Sequence, residues 1–205
     1  MKSFSIIAGA LLGTIALVAG AIYFGVTHYS RLMAEFGPEL LVDTQTRAQA
    51  AETKLKQAPD AYSRWVALGD AAFWKAAQPN DSDASALATE LLGMTETYKT
   101  DWNFGNAIHK SNSALGRIAL RSGDTAAARK YLLASANSKG SPQMNSFGPN
   151  MGFAKEMLET GEKESVLEYL RLCGTFWAMG HDQLDVWDKM ILENRAPHFG
   201  ANLLY

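Results

Sequence analysis

Residues 114–132, ALGRIALRSGDTAAARKYL, decide the fold. Gly123 can take the left-handed backbone conformation that a tight reversal needs, and it divides two helical stretches. On the second stretch Ala128 is small enough to let a neighbouring helix approach closely, and Leu132, one turn on, fills the groove beside it. The offsets recur downstream, where Gly161 is followed by Val166 and Leu170 at the same spacings that separate Gly123 from Ala128 and Leu132. Upstream, Trp65-Val-Ala-Leu68-Gly69-Asp-Ala-Ala72-Phe73 carries a Leu-Gly pair like that of Leu115-Gly116. Elsewhere the chain runs in helical segments of roughly 12–15 residues joined by short turns, without the period-two alternation of a strand. The expected fold class is all-α, built from helical hairpins in series.

Those residues carry a resemblance. Trp65, Leu68 and Gly69 reproduce the W-x2-L-G-x2-Y opening of a tetratricopeptide repeat, with Ala72 or Phe73 near the Tyr place. Leu115-Gly116, Gly123, Ala128 and Leu132 match the corresponding places of a second unit, and Gly161, Val166 and Leu170 a third. Over residues 60–176 the chain resembles the tetratricopeptide-repeat family, in the manner of membrane-anchored bacterial members of undefined role. The resemblance implies an antiparallel helix-pair array and carries over no ligand residues. The interval from Gly69 to Gly116 is longer than the family's spacing of about 34 residues. Asn112 stands where the family prefers Trp, and the terminal Pro is displaced to Pro142. A capping helix follows at 181–192, with Leu184, Trp187, Ile191 and Leu192 on one stripe. The aromatic and apolar end, Arg195 to Tyr205, is expected to dock on the repeats or on another chain.

The amino-terminal part has a different character. Between Lys2 and Arg31 no charged residue occurs, and Phe4 to Val26 is apolar except for Ser5, Thr14 and Tyr23. About 20 such residues in a helix cross a hydrocarbon core of roughly 30 Å. Residues 1–30 are therefore read as a single transmembrane anchor. Gly9, Gly13, Ala16 and Gly20 share one helix face and offer a small-residue seam to a second membrane helix. A cleaved signal peptide is the rival reading, with Ala19-Gly20-Ala21 as the cleavage site. The thin balance of Lys and Arg about the anchor leans towards a cytoplasmic N-terminus, with the domain in the periplasm of a bacterial inner membrane. Gly37-Pro38 punctuates the chain, and residues 31–59 read as a helical neck or linker, its helix from Glu39 to Gln57 either a solvated stalk or half packed. Residues 60–205 form the third part, the hairpin domain.

Composition narrows the function. With 19 basic and 21 acidic residues the chain lacks the basic excess of a nucleic-acid protein, and its single cysteine, Cys173, rules out an intrachain disulfide or a cysteine-rich zinc site. The four histidines form no H-E-x-x-H, and neither G-x-S-x-G nor a phosphate-binding glycine loop occurs. No catalytic residue, cofactor or metal is expected. Two polar loops stand out. One is Asp101-Trp102-Asn103-Phe104-Gly105-Asn106, which leads to His109 and Asn112 on one helix face. The other is Ser141 to Asn150, which includes Phe147. From such a face Asn and His could grip a peptide backbone, although helix capping and buried hydrogen bonds account for the same residues. Trp65 and Trp177 fall on inward positions; Trp102 and Trp187 are the expected interface aromatics. The candidate partner-binding residues are thus Trp102, Asn103, His109, Asn112, Phe147, Asn150, Trp187, Phe199 and Tyr205. The expected function is a non-enzymatic, membrane-anchored scaffold for protein partners, or an accessory subunit of a membrane complex. The alternatives are a periplasmic adaptor released by signal cleavage, and a small-ligand binder or enzyme using the His109/Asn112 face.

Overall fold

The computed structural model describes residues 43–79 and 83–204, together with Gly25. The seam residues Gly9, Gly13, Ala16 and Gly20, the rest of the anchor reading and the terminal Tyr205 lie outside the described residues. Among the described residues no helix is long and apolar enough to cross a membrane.

All regular structure in the described residues is helical. Helix α1 (Thr44–Lys56) opens on Asp43, whose carboxylate accepts from the Thr46 N–H at 2.9 Å. The same device starts α2 (Ala61–Ala76), where Asp60 accepts from the Ser63 N–H at 2.7 Å. The four-residue link between them makes the pair antiparallel, and Ala48, Ala51 and Leu55 of α1 are buried on α2. Within the expected neck, the described helix Thr44–Lys56 is half packed, its buried stripe made of two alanines and one leucine.

Helices α3 (Ala84–Thr95), α4 (Phe104–Arg121) and α5 (Thr125–Ser135) continue the series, with α4 packed by α2, α3 and α5. The Gly123-Asp124 reversal falls where the sequence puts it. Gly123 adopts φ 82°, and Asp124 caps α5 through the Ala127 N–H at 2.9 Å. Ala128 and Leu132 are both buried, and burial of the leucine alone contributes roughly 2 kcal/mol. Gly116 also has a specific reason, since a Cβ there would stand 2.3 Å from the ring of Phe153.

The stretch 141–150, read from sequence as a loop, contains a short helix. Ser141 caps α6 (Pro142–Phe147) through the Met144 N–H, and Pro142 sits in the first turn, where its missing N–H costs nothing. After a break at 148–151 the chain resumes as α7 (Gly152–Glu159), reverses at Gly161 (φ 86°), and forms α8 (Lys163–Cys173). A 3-10 turn (Ala178–Gly180) leads into α9 (His181–Leu192), and a second one (Gly200–Leu203) ends the described chain. Helix α7 packs on α4, α8 on both α5 and α7, and α9 on α8.

Because successive helices reverse direction, α2 and α4 begin at one end of the array and finish together. Arg117 and Arg121 of α4 donate to the carbonyls of Phe73 and Ala76 at the end of α2. The start of α4 meets the chain before α6, where Gly105 lies against the Gly140 backbone. The two larger apolar cores lie around Trp65, Leu68, Phe73 and Leu91 and around Leu132, Phe153, Met157, Leu170, Trp177 and Trp187, and a smaller one of alanines (Ala72, Ala76, Ala84, Ala88 and Ala114) joins α2, α3 and α4.

Candidate functional site

A groove of about 320 Å3 opens between α2 and α4. Its aromatic walls come from Trp65 and Trp74 of α2 and from Trp102, which precedes α4. Arg47 reaches in from α1, with its guanidinium 4.9 Å over the Trp74 ring. Lys110 on α4 and Asp70 on α2 face each other across the groove and pair at 2.5 Å. Carboxamides line one end. Asn106 donates to Asn103 at 2.7 Å and to Gln143 of α6 at 3.3 Å, while its oxygen accepts from the Ser141 hydroxyl at 2.9 Å. Leu204, from the end of the chain, closes part of the lining. The groove therefore combines an aromatic surface, both signs of charge and amides suited to a peptide backbone.

Of the expected binding residues, Trp102 (57% exposed) and Asn103 belong to this groove. Phe147 (61% exposed) lies one turn beyond Gln143 on α6. None of the other described ones lines the groove. Trp187 is fully buried and Phe199 is 3% exposed, packed edge to face at 5.0 Å. Both are core residues rather than interface aromatics, because the returning tail covers the stripe of α9. Asn112 is buried and donates to the Ile108 carbonyl one turn back. Asn150 is buried with its oxygen on the Gly152 N–H, so it helps to start α7.

His109 departs furthest from expectation. It does not face a groove, because α4 is covered by its neighbours on nearly every side. With Asn106, Ser113 and Arg117 it forms a buried polar stripe along α4, between the two larger apolar cores. Burial pushes its pKa down to about 3, the nearby Lys110 and Arg117 charges act in the same direction, and backbone groups at Ser135 and Asn150 oppose them. The imidazole is therefore neutral at pH 7. The Ser113 hydroxyl and the Asn150 amide nitrogen lack a hydrogen-bond partner within the protein, and neither His109 ring nitrogen makes a well-aligned one. Arg117 is paired with Glu156 at 2.9 Å and lies 4.5 Å over the Phe73 ring.

The residues missed by sequence reading, Arg47, Asp70, Trp74, Lys110 and Gln143, come from four helices and share no local signal. Cys173 is buried, and desolvation pushes its thiol pKa far up, so the group is a protonated core side chain. Among the described residues no three His, Cys, Asp or Glu side chains gather in a way that could hold a metal. Comparison of the chain with protein-family models, with curated proteins and with solved structures gives no match in any of the three.

Proposed function

We propose that this protein is a membrane-anchored, non-enzymatic scaffold or accessory subunit that holds a protein partner on a tetratricopeptide-like helical array. In this reading the apolar run 4–26 lies in a bacterial inner membrane, with the seam Gly9, Gly13, Ala16 and Gly20 available to a membrane partner and residues 60–205 in the periplasm. One observation carries the protein-binding part. Of the five exposed large apolar side chains among the described residues, four, Tyr62, Trp102, Phe147 and Met179 (40%, 57%, 61% and 72% exposed), lie on or beside α6 and the starts of α2, α4 and α9, while Leu192 (57%) ends α9. Exposed large apolar side chains gathered on one side mark an interaction surface, whereas scattered ones mean little. Helix α1 starts at the opposite end, since it runs antiparallel to α2. A tether entering at Thr44 would leave the aromatic end pointing away from the bilayer, towards soluble partners. In the groove beside Trp102, Lys110 and Asp70 pair with each other, which leaves the Arg47 guanidinium, the aromatic walls and the amides to hold a peptide segment.

The test is a mild-detergent pull-down with mass spectrometry, comparing wild type with Trp102→Ala and with Phe147→Ala. A truncated interface aromatic is expected to cost about 1–3 kcal/mol, or roughly 10- to 100-fold in affinity. Unchanged recovery of the same partners by both variants would overturn the assignment. Intact mass of the mature chain separates the anchored form from a cleaved periplasmic adaptor.

A further inference from the structure

We infer that the pocket between α7, α8 and the chain following α9 takes an anionic phospholipid of the bilayer, its headgroup on a basic rim and its hydrocarbon on an apolar floor. The inference rests on the membrane-anchored reading above.

The pocket holds about 410 Å3, within the ordinary range for a small-ligand site. Its floor is hydrocarbon, from Leu158 on α7, Ile191 on α9, and Pro197 and Phe199 of the returning chain. The rim is basic, with Lys155, Lys163 and Arg195 set against one carboxylate, Glu159. Lys163 fixes the mouth. Its ammonium donates to the Leu192 carbonyl at 3.3 Å and to the Asn194 side-chain oxygen at 3.1 Å. Both acceptors are neutral, so the charge is held in place and not cancelled. Asn194 reaches it from a left-handed backbone conformation (φ 57°), which turns the chain out of α9 and over the floor. Glu162, next to Lys163 in the chain, is paired with Arg129. Lys155 stands 4.0 Å from Glu159 and Arg195 stands 3.1 Å from Glu193. These are solvent-exposed pairs of the kind that contribute little, so a competing anion opens them at small cost.

The pocket's place in the array points to a bilayer. Glu159 and Thr160, at the end of α7, share a shallow cleft with Ala77 and Pro79, just past the end of α2. The pocket therefore lies where α2 finishes and α1 starts, away from the exposed aromatics. A tether entering at Thr44 brings this end to the membrane. Leu192 belongs to the same end: it closes α9, is 57% exposed, and its carbonyl carries the Lys163 contact. Near an anionic bilayer each basic residue strengthens binding about fivefold, and an aliphatic side chain at the interface adds to it.

The experiment uses the full chain in a neutral detergent, with dihexanoyl phosphatidylglycerol as the probe. Dihexanoyl phosphatidylcholine and glycerol phosphate are its zwitterionic and chainless counterparts. Native mass spectrometry reads binding, and the melting temperature is followed alongside. Phosphatidylglycerol is expected to bind about tenfold more tightly than phosphatidylcholine, the scale of one charge-assisted hydrogen bond, and to raise the melting temperature. Glycerol phosphate is expected to leave it unchanged. Lys163→Glu should erase the preference for the anionic lipid. Lys163→Gln, which keeps a donor for Leu192 and Asn194, should lower it about fivefold. Lys130→Glu makes the same charge change at an exposed site on α5 and should keep the preference. Equal binding of the two lipids by wild type, equal losses in Lys163→Glu and Lys130→Glu, or full protection by glycerol phosphate overturns the site. Alkaline carbonate extraction of native membranes separates this site from the anchor. A chain that washes off yet prefers phosphatidylglycerol keeps the lipid site and sinks the anchored reading, and a chain that stays without that preference does the reverse.

Discussion

Gly105→Ala against Gly93→Ala is the sharpest test of how the helices stack. Both glycines sit inside helices, so helix propensity alone favours alanine by about 0.5–1 kcal/mol at each. Their surroundings differ. A Cβ at Gly93 meets nothing within 4 Å, whereas one at Gly105 would stand 2.1 Å from the Gly140 carbonyl oxygen, 2.2 Å from its carbon and 2.7 Å from its Cα. These opposing atoms are backbone, which cannot swing aside as a side-chain tip could, so the start of α4 would have to part from the chain entering α6. Overpacking of this kind costs about 1–3 kcal/mol, and the immobile neighbour puts Gly105→Ala at the upper end even after the propensity gain. With about 2–4 °C per kcal/mol for a domain of this size, Gly105→Ala should lower the melting temperature by roughly 4–10 °C, and Gly93→Ala should raise it by about 1–4 °C. Urea titration followed by circular dichroism gives the same comparison at constant temperature. If Gly105→Ala proves as stable as Gly93→Ala, α4 does not meet the 140 backbone and the packing of α4 on the chain entering α6 is wrong.

Three further outcomes follow from buried groups. His109 is protonated below about pH 6.5 in the unfolded chain but only near pH 3 when folded, so between those values the unfolded state binds more protons and acid destabilises the fold. Between pH 7 and pH 4.5, wild type should lose about 2–3 kcal/mol more unfolding free energy than His109→Phe, and parallel losses would mean an exposed imidazole. Removing Glu156 alone leaves Arg117, whose side chain is 4% exposed, without its counter-ion. Glu156→Ala should therefore cost about 1–3 kcal/mol in chemical unfolding, and the double variant Arg117→Met, Glu156→Leu should recover most of it. Cys173 should resist maleimide in the native protein and react once urea is added; rapid native labelling would contradict its burial.

What the sequence disclosed, and what it did not, follows from the reach of each signal. The Gly123 and Gly161 reversals, the Ala128/Leu132 and Val166/Leu170 pairs, and the capping helix from His181 were legible because a turn residue and one helical period define them locally. Helix α6 was not, because six residues are too few to show a period and its Ser-Pro opening resembles a loop. Trp187 was misplaced for a different reason. Its stripe was recognised, but Phe199, twelve residues on, comes back to cover it. Asn112 and His109 show the same limit: a polar residue on a helix looks like a binding residue until neighbouring helices are found packed around it. Of the groove, Trp102 and Asn103 were legible as an unusual loop. Lys110 and Asp70 meet across 40 positions, and nothing near either one announces the other.

The polar stripe on α4 bears on why this array holds one register. Two apolar cores meeting across a smooth aliphatic helix could slide by a turn at little cost, since leucine against alanine is much the same one turn away. Here Asn106, His109, Ser113 and Arg117 occupy that boundary, and Arg117 must reach the Phe73 carbonyl and Glu156 together while Arg121 reaches the Ala76 carbonyl. A one-turn slip, about 5.4 Å, would break all three contacts and leave a buried guanidinium unpaired, a loss of several kcal/mol. The poorly paired nitrogens of His109 and the orphaned amide of Asn150 point the same way: the seam gives up some stability that an apolar stripe would have supplied. The same contacts fix the offset of α2 and α4 that sets Asp70 against Lys110, on which the groove between these helices depends.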